Sequence, residues 1–242
     1  MMFRCDKMTF VQGTFTLSAD MIFAKGAVTA VIGPSGAGKS TLLLAIAGFI
    51  AAQDGEMSWN GVPFTNDVPG KRPVSMLFQD NNLFGHVSVA QNVGFGLRAR
   101  GKLTAQEKQT VRDVLADVGL AEMGDRLPAA LSGGQQSRAA LARLLLADRP
   151  IVLLDEPFAA LGPGLKTDML DLTAQVLLRH KDRTVLMVSH DPEDARRIAT
   201  YVVWVEDGVV YPPRATAEMF ANPPAGLRRY LGKIDENKSD IA

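Results

Sequence analysis

One cysteine, Cys5, stands in 242 residues. It has no partner for an internal disulfide, which fits a reducing compartment and a small apolar residue in the first strand. Charge of one sign is also missing: Lys+Arg and Asp+Glu number 26 each, for a formal net charge of +0. Without a basic surplus the chain lacks the electrostatic footprint of a nucleic-acid-binding protein, and no nucleic acid partner is expected. No stretch approaches the roughly 18 apolar residues of a membrane span. The opening MMFRCDKMTF lacks the apolar segment of a signal peptide. A cytosolic chain is expected, reaching a membrane only through a partner. Internal repeats and low-complexity tracts are absent as well. What remains is ordinary globular composition, 47% hydrophobic and 21% charged, over a length ample for a core.

Strand and helix signals alternate along the chain. Residues 1–32 read as short strands, and Val28–Ile32 is an apolar run ending at Gly33. A glycine-rich turn leads into a strongly apolar helix, Lys39 to Gly48, stopped by glycine. Asn60-Gly61 and Asp207-Gly208 are hairpin signals. Val74–Phe78 reads as a buried strand. Ser88 with Gln91 and Thr104 with Glu107 have capping-box spacing. Val111, Val114, Leu115 and Val118 fall on one helical face, and a helical insertion is expected over roughly 88–135. A helix from Gln136 to Ala147 precedes Ile151–Leu154, which reads, like Val185–Val188, as a fully buried parallel strand. A helix over about 164–180 lies between them, and Asp191-Pro192 opens another. The pattern predicts an α/β fold with a mostly parallel sheet, a smaller antiparallel β layer and the helical insertion, in a single domain over 1–232. The polar tail, 233–242, is expected to be disordered.

Gly33-Pro34-Ser35-Gly36-Ala37-Gly38-Lys39-Ser40 matches the phosphate-binding loop G-x-x-x-x-G-K-[ST] and sits between a strand and a helix, as that loop must. Its glycines let backbone N–H groups wrap phosphates, and the helix start adds partial positive charge. Lys39 would reach β- and γ-phosphates, and Ser40 would bind Mg²⁺. Leu153-Leu154-Asp155-Glu156-Pro157 places two carboxylates at the end of a buried strand, the edge where open α/β sheets bind ligands. Asp155 would hold the Mg²⁺, and Glu156 would polarise an attacking water as general base. Leu131-Ser132-Gly133-Gly134-Gln135 is a second anion-binding helix start, again with capping-box spacing. One ATP needs one phosphate loop, so the second terminus makes sense if it faces ATP bound to another copy.

With these motifs in order, followed by Val188-Ser189-His190, the sequence resembles the ATP-binding subunits of ABC transporters over nearly its whole length. The resemblance implies the ABC ATPase fold with its P-loop NTPase core, and ATP with Mg²⁺ as cofactors. It also implies a head-to-tail dimer of two copies. In that dimer each ATP lies between one copy's Gly33, Pro34, Ser35, Gly36, Ala37, Gly38, Lys39, Ser40 and Thr41 and the other's Ser132, Gly133, Gly134 and Gln135. His190 matches the family's switch histidine, which contacts the γ-phosphate. Gln79 resembles the glutamine that reaches Mg²⁺ and the γ-phosphate. The catalytic set is then Lys39, Gln79, Glu156 and His190, and the metal set Ser40, Gln79 and Asp155. Partners implied are transmembrane permease subunits and, upstream, a periplasmic binding protein, with the chain peripheral on the cytoplasmic face of the bacterial inner membrane. Leu83 and Phe84, just past Gln79, become either anchors on a permease or closure of the local core.

The segment Arg72–Phe84, together with Gly33–Leu43, Ala47–Phe49 and Leu186–His190, is most similar to the ATPase subunits of bacterial thiamine importers. Importers of ferric iron, a polyamine or an anion share the ATP motifs and stay open. A non-transport ABC ATPase would need long coiled coils or a second ATPase domain in the chain, and neither is present. An ATP-binding regulator without turnover is suggested by Gly162, where the family usually has Asp, and opposed by intact Lys39, Asp155, Glu156 and His190. Gly162 is expected to weaken coupling between the ATP sites and lower basal turnover. At the position of the aromatic that stacks on adenine stands Gln12, with Phe10 and Phe15 nearby.

Overall fold

Alternating buried and exposed residues make β1 (Phe3–Gln12) and β2 (Phe15–Phe23) one-sided strands, whereas β3 (Ala27–Ile32) is buried on both faces. The computed structural model describes residues 2–99, 101–179 and 182–239, with 233–239 described by backbone. After β3 come α1 (Lys39–Ala47), β4 (Ala52–Trp59), β5 (Val62–Pro63), β6 (Val74–Leu77), α2 (Val89–Gly94), α3 (Ala105–Asp117) and α4 (Gly133–Ala147). The chain continues through β7 (Ile151–Asp155), α5 (Pro163–Leu178), β8 (Thr184–Val188), α6 (Pro192–Ile198), β9 (Tyr201–Glu206), β10 (Val209–Val210), β11 (Arg214–Ala215), α7 (Thr216–Ala221) and α8 (Ala225–Ser239). The sheet runs β5-β4-β1-β2-β10-β9-β3-β8-β7-β6, with β11 on β9. β6, β7, β8, β3 and β9 pair in parallel, while β5, β4, β1 and β2 pair antiparallel. The mostly parallel core and the antiparallel layer are therefore two halves of one curled sheet.

Period-two alternation sends neighbouring residues of the parallel strands into different cores. Leu153 and Val31 pack with Leu42, Leu43 and Ile46 of α1 and with Phe3, Phe10 and Leu17 of the antiparallel layer. From Leu42 onward α1 is apolar around its whole circumference because it is enclosed between those two layers. Val152, Leu154, Val185 and Met187 face the opposite way, onto α2–α5. Ile32, Val202 and Trp204 pack on α6, α7 and α8 through Ala195, Met219 and Leu227. In the insertion, Val111, Leu115 and Val118 are buried and Val114 packs against the same cluster.

The capping boxes at Ser88, Thr104 and Ser132 are all formed. Because Ser132 is the cap, α4 starts at Gly133, three residues before the expected Gln136. Asn60-Gly61 and Asp207-Gly208 both take positive φ and close their hairpins. α8 carries the backbone helically to Ser239, so 233–239 continue a helix whose first turns dock on the sheet; 240–242 lie outside the described residues. α5 ends at Leu178, and position 180, its expected end, also lies outside them.

The end of α1 is closed by an arginine 27 residues away. Gly48 takes φ 91 and its N–H donates to the Ala45 carbonyl. The Arg72 guanidinium, only 3% exposed, donates to the carbonyls of Ala45 and Ile46 at 2.9 Å and to those of Thr65 and Asp67 at 2.6 and 2.8 Å. A cation at a helix C-terminus satisfies orphan carbonyls and complements the helix dipole. Arg72→Met keeps the apolar stem but leaves those carbonyls unpaired. Urea unfolding should show a loss on the order of 3 kcal/mol; an unchanged midpoint would mean that water replaces the guanidinium without cost.

Candidate functional site

Four adjacent parallel strands bring their carboxyl ends to one edge. Leu77 lies opposite Leu154, Asp155 opposite Val188, and Val188 opposite Val31. The residues that follow, Gln79, Glu156, His190 and the loop from Gly33, therefore leave the sheet at the same level, as ligand sites of open α/β sheets do.

The loop after β3 turns through Gly36 at φ 78 and Gly38 at φ 108, a region costly for any residue with a Cβ. No side chain caps α1 and no acid stands in its first turn, so its leading N–H groups face outward with their partial positive charge uncompensated. Lys39 is 8% exposed, and its Nζ donates to the carbonyls of Gly33 and Pro34 at 2.8 and 2.9 Å. Burial pushes the ammonium pKa down, and the charges of Glu156 and Asp155 pull it partly back. Ser35 and Ser40 are exposed, Ala37 is buried and Thr41 half-buried.

The Ser40 hydroxyl donates to Asp155 Oδ1 at 2.9 Å, across 115 residues of sequence. Burial raises the Asp155 pKa; Ser40 and Lys39 oppose that shift, and Glu156 adds to it. Glu156 sits in the left-handed region at φ 44, uncommon for a residue with a side chain, and its N–H donates to the Val188 carbonyl at 3.2 Å. Its Oε2 lies 3.2 Å from Nδ1 of His190. Gln79 stands exposed at the same edge, and among the described residues its amide makes no hydrogen bond. Ser40, Asp155 and Gln79 offer oxygen donors, the chemistry that suits Mg²⁺. Among the described residues no cluster of three or more His, Cys, Asp or Glu could hold a metal alone. A small hard cation that keeps its waters and shares phosphate oxygens needs no more than the donors present.

The segment after Gln79 is held by two residues that the sequence motifs did not point to. Asn81 and Asn82 both take left-handed φ, 58 and 52. Arg143 of α4 donates to their carbonyls, at 2.9 Å to Asn81 and 2.7 Å to Asn82. Buried Asn92 accepts from the Phe84 N–H at 2.8 Å and donates to the carbonyls of Phe84, Val87 and Ser88. The Asn-Asn pair itself, a residue type that tolerates left-handed backbone, was the available signal. Leu83 packs into the core above α2–α5, whereas Phe84 stays 48% exposed with its ring edge-on to Phe95 at 5.3 Å. Leu83 thus closes the local core, and Phe84 does not.

Ser132 and Gln135 close their capping box at 3.0 and 3.4 Å, leaving Ser132 and Gly133 exposed. A Cβ on Gly134 would fall 2.6 Å from the tip of the Leu165 side chain of α5. Among the described residues no hydrogen bond joins Ser132–Gln135 to Gly33–Thr41. Near that loop, Phe10 is buried in the core, Gln12 is exposed, and Phe15 lies half-buried beside Gly38, where a Cβ would come 2.9 Å from its ring.

A family model described as "ABC transporter" matches residues 18–159. Over 231 residues the chain is 53% identical to the thiamine import ATP-binding protein ThiQ of Ruegeria sp. (strain TM1040), covering 96% of this chain and all 100% of that protein. It is 52% identical, with the same coverage, to the protein of that name from Cereibacter sphaeroides. A third, from Mesorhizobium japonicum, is 48% identical over 99% of this chain and 95% of its own length.

The charged Asp155 is disfavoured in the folded chain. Its folded pKa lies above the unfolded one, so the folded chain binds the proton first and gains stability as pH falls through the carboxylate range. Asp155→Asn removes the charge at every pH. It should raise the melting temperature of the nucleotide-free chain near neutral pH. That gain should shrink as pH falls from about 7 to 4. Calorimetry across that range checks both, and a variant melting below wild type at neutral pH would contradict the sign.

Proposed function

The chain belongs to the ABC transporter family, and on that footing we propose that it is the ATP-hydrolysing subunit of a bacterial importer for thiamine or its phosphate esters. The observation that carries the catalytic part is the convergence of Lys39, the Ser40–Asp155 pair and the Glu156–His190 pair at one strand edge, in front of the uncapped start of α1. The solute rests on the similarity to the thiamine import proteins.

In this reading the N–H groups of Gly33–Thr41 and the Lys39 ammonium hold the β- and γ-phosphates. Incoming phosphate oxygens replace the loop carbonyls that Lys39 now contacts. Ser40, Asp155 and Gln79 would hold Mg²⁺, which neutralises charge on the phosphate oxygens. Glu156 accepts the proton of the attacking water as its oxygen bonds to the γ-phosphorus and the bond to the ADP oxygen breaks. His190, paired with Glu156, orients that carboxylate and donates to the γ-phosphate. Phe15, half-buried beside Gly38, would stack on adenine.

A second copy supplies its Ser132, Gly133, Gly134 and Gln135 to the γ-phosphate in a head-to-tail dimer. The exposed Ser132 terminus, without a bond to its own phosphate loop, supports that arrangement. Among the described residues no helix is long and apolar enough to cross a membrane. Permease subunits would therefore carry the solute, fed by a periplasmic binding protein, while this chain sits on the cytoplasmic face of the inner membrane. Phe84, exposed and fixed by Asn92, is the apolar anchor offered to the permease.

Labelled-thiamine uptake by cells expressing this chain with its native membrane subunits tests the reading. Wild type should import thiamine, and Glu156→Gln should lose uptake while still binding ATP. An assembled wild-type complex that imports no thiamine would refute the solute. A Glu156→Gln chain with wild-type turnover would remove Glu156 from the base role. Gly162 supplies a second test. It sits at φ −63, a Cβ there would meet nothing within 4 Å, and α5 starts on it without a side-chain cap. Gly162→Asp fits without strain and adds a helix cap. It should raise the basal ATPase rate a few-fold with no loss of melting temperature; an unchanged rate would free Gly162 of any part in coupling.

A further inference from the structure

His190 is poorly held by its own side chain. The imidazole is 58% exposed, and among the described residues its one hydrogen-bond partner is Glu156. Its neighbours in sequence are tied down: Ser189 bonds Asp194, and Asp191 caps α6 and pairs with Lys166 of α5 at 3.2 Å. The His190 carbonyl turns the other way. It accepts a 2.7 Å hydrogen bond from the Tyr230 hydroxyl, which arrives from α8, 40 residues on. Among the described residues this is the single hydrogen bond on the His190 main chain.

Tyr230 is itself firmly placed. Its ring packs on buried Trp204 of β9 at 5.6 Å. The Trp204 indole N–H donates to Glu206 at 3.2 Å, and Arg229 reaches the other oxygen of that carboxylate at 3.3 Å. Gly226 lies so close to Glu206 that a Cβ would fall 2.2 Å from its Oε2, and Leu227 is fully buried. The first turns of α8 are thus fixed to β9 by packing and by charge. Burial, reinforced by the charges of Asp191 and Glu156, pushes the Tyr230 pKa up, which keeps its hydroxyl a donor.

We propose that Tyr230 is a positioning residue for His190: through the His190 carbonyl, the C-terminal helix sets where the imidazole stands relative to Glu156 and the γ-phosphate. The proposal rests on the ATPase reading above and adds to it an element outside the ATP motifs. Tyr230→Phe keeps the ring on Trp204 and removes only the hydroxyl. The His190 ring nitrogens of the nucleotide-free, ¹⁵N-histidine-labelled chain should shift or broaden in this variant, with those of His86 unmoved and the melting temperature held. ATP turnover should fall about three- to tenfold, the worth of one positioning hydrogen bond, with KM for ATP unchanged. Unmoved His190 signals overturn the proposal, as does full turnover in Tyr230→Phe beside an active wild type. A turnover loss that follows a lowered melting temperature overturns it too, because Tyr230 would then be a structural strut. A wild-type chain without ATPase activity, in which His190 signals still move in Tyr230→Phe, would sink the ATPase reading and uphold the link itself.

Discussion

Parallel pairing of β6, β7, β8 and β3 in a single register is the constraint on which the rest of the molecule depends. With Asp155 opposite Val188 and Val188 opposite Val31, four separate stretches of chain reach the end of the sheet together. Their polar residues fall at the first positions where backbone and side chain are free of the ladder. A slip of one residue in β7 would exchange the two faces of the strand, sending Leu153 and Leu154 into the wrong cores. It would also carry Asp155 away from Ser40. The apolar residues that fix the register are therefore also what sets the geometry of the carboxylates.

The same framework sustains arrangements that are unfavourable taken alone. Lys39 and Asp155 are charges drawn out of water, and their pKa values move in opposite directions for the same reason, burial of the charged form. Glu156 adopts a backbone conformation that costs energy for a residue with a Cβ. Local hydrogen bonds and the opposite charges of Lys39 and Asp155 compensate this only in part. The rest is offset by the enclosure of α1 between two layers and by strands buried on both faces. Within the site, Lys39 bonds to its own loop and Ser40 to the Asp155 carboxylate.

Several contacts to distant backbone carbonyls tie separate segments to the body of the fold. Arg72 closes α1, Arg143 holds the Asn81-Asn82 turn, and Tyr230 holds His190. Arg143 belongs to α4, the helix that begins at Ser132, so the turn beside Phe84 is tied to the helix whose start would face a second copy.

The sequence by itself determined what depends on neighbours in the chain. Capping boxes at Ser88, Thr104 and Ser132, the turns at Asn60-Gly61 and Asp207-Gly208, and the loop before Lys39 were legible because both partners of each interaction lie within a few residues. The α/β class followed from the alternation of periods, and the residues at the strand edge from their motifs. The tertiary structure alone decided that Leu83 is core and Phe84 surface, that Phe15 rather than Phe10 stands at the phosphate loop, and that 233–239 prolong a docked helix. It alone assigned Arg72, Asn92, Arg143 and Tyr230 their partners. The reason is physical: each binds backbone groups, which for Arg143, Tyr230 and the α1 end of Arg72 lie far away in sequence. Every residue has a carbonyl and nearly every one an N–H, so such a partner leaves no mark in the order of amino acids, and only folding reveals which one is met.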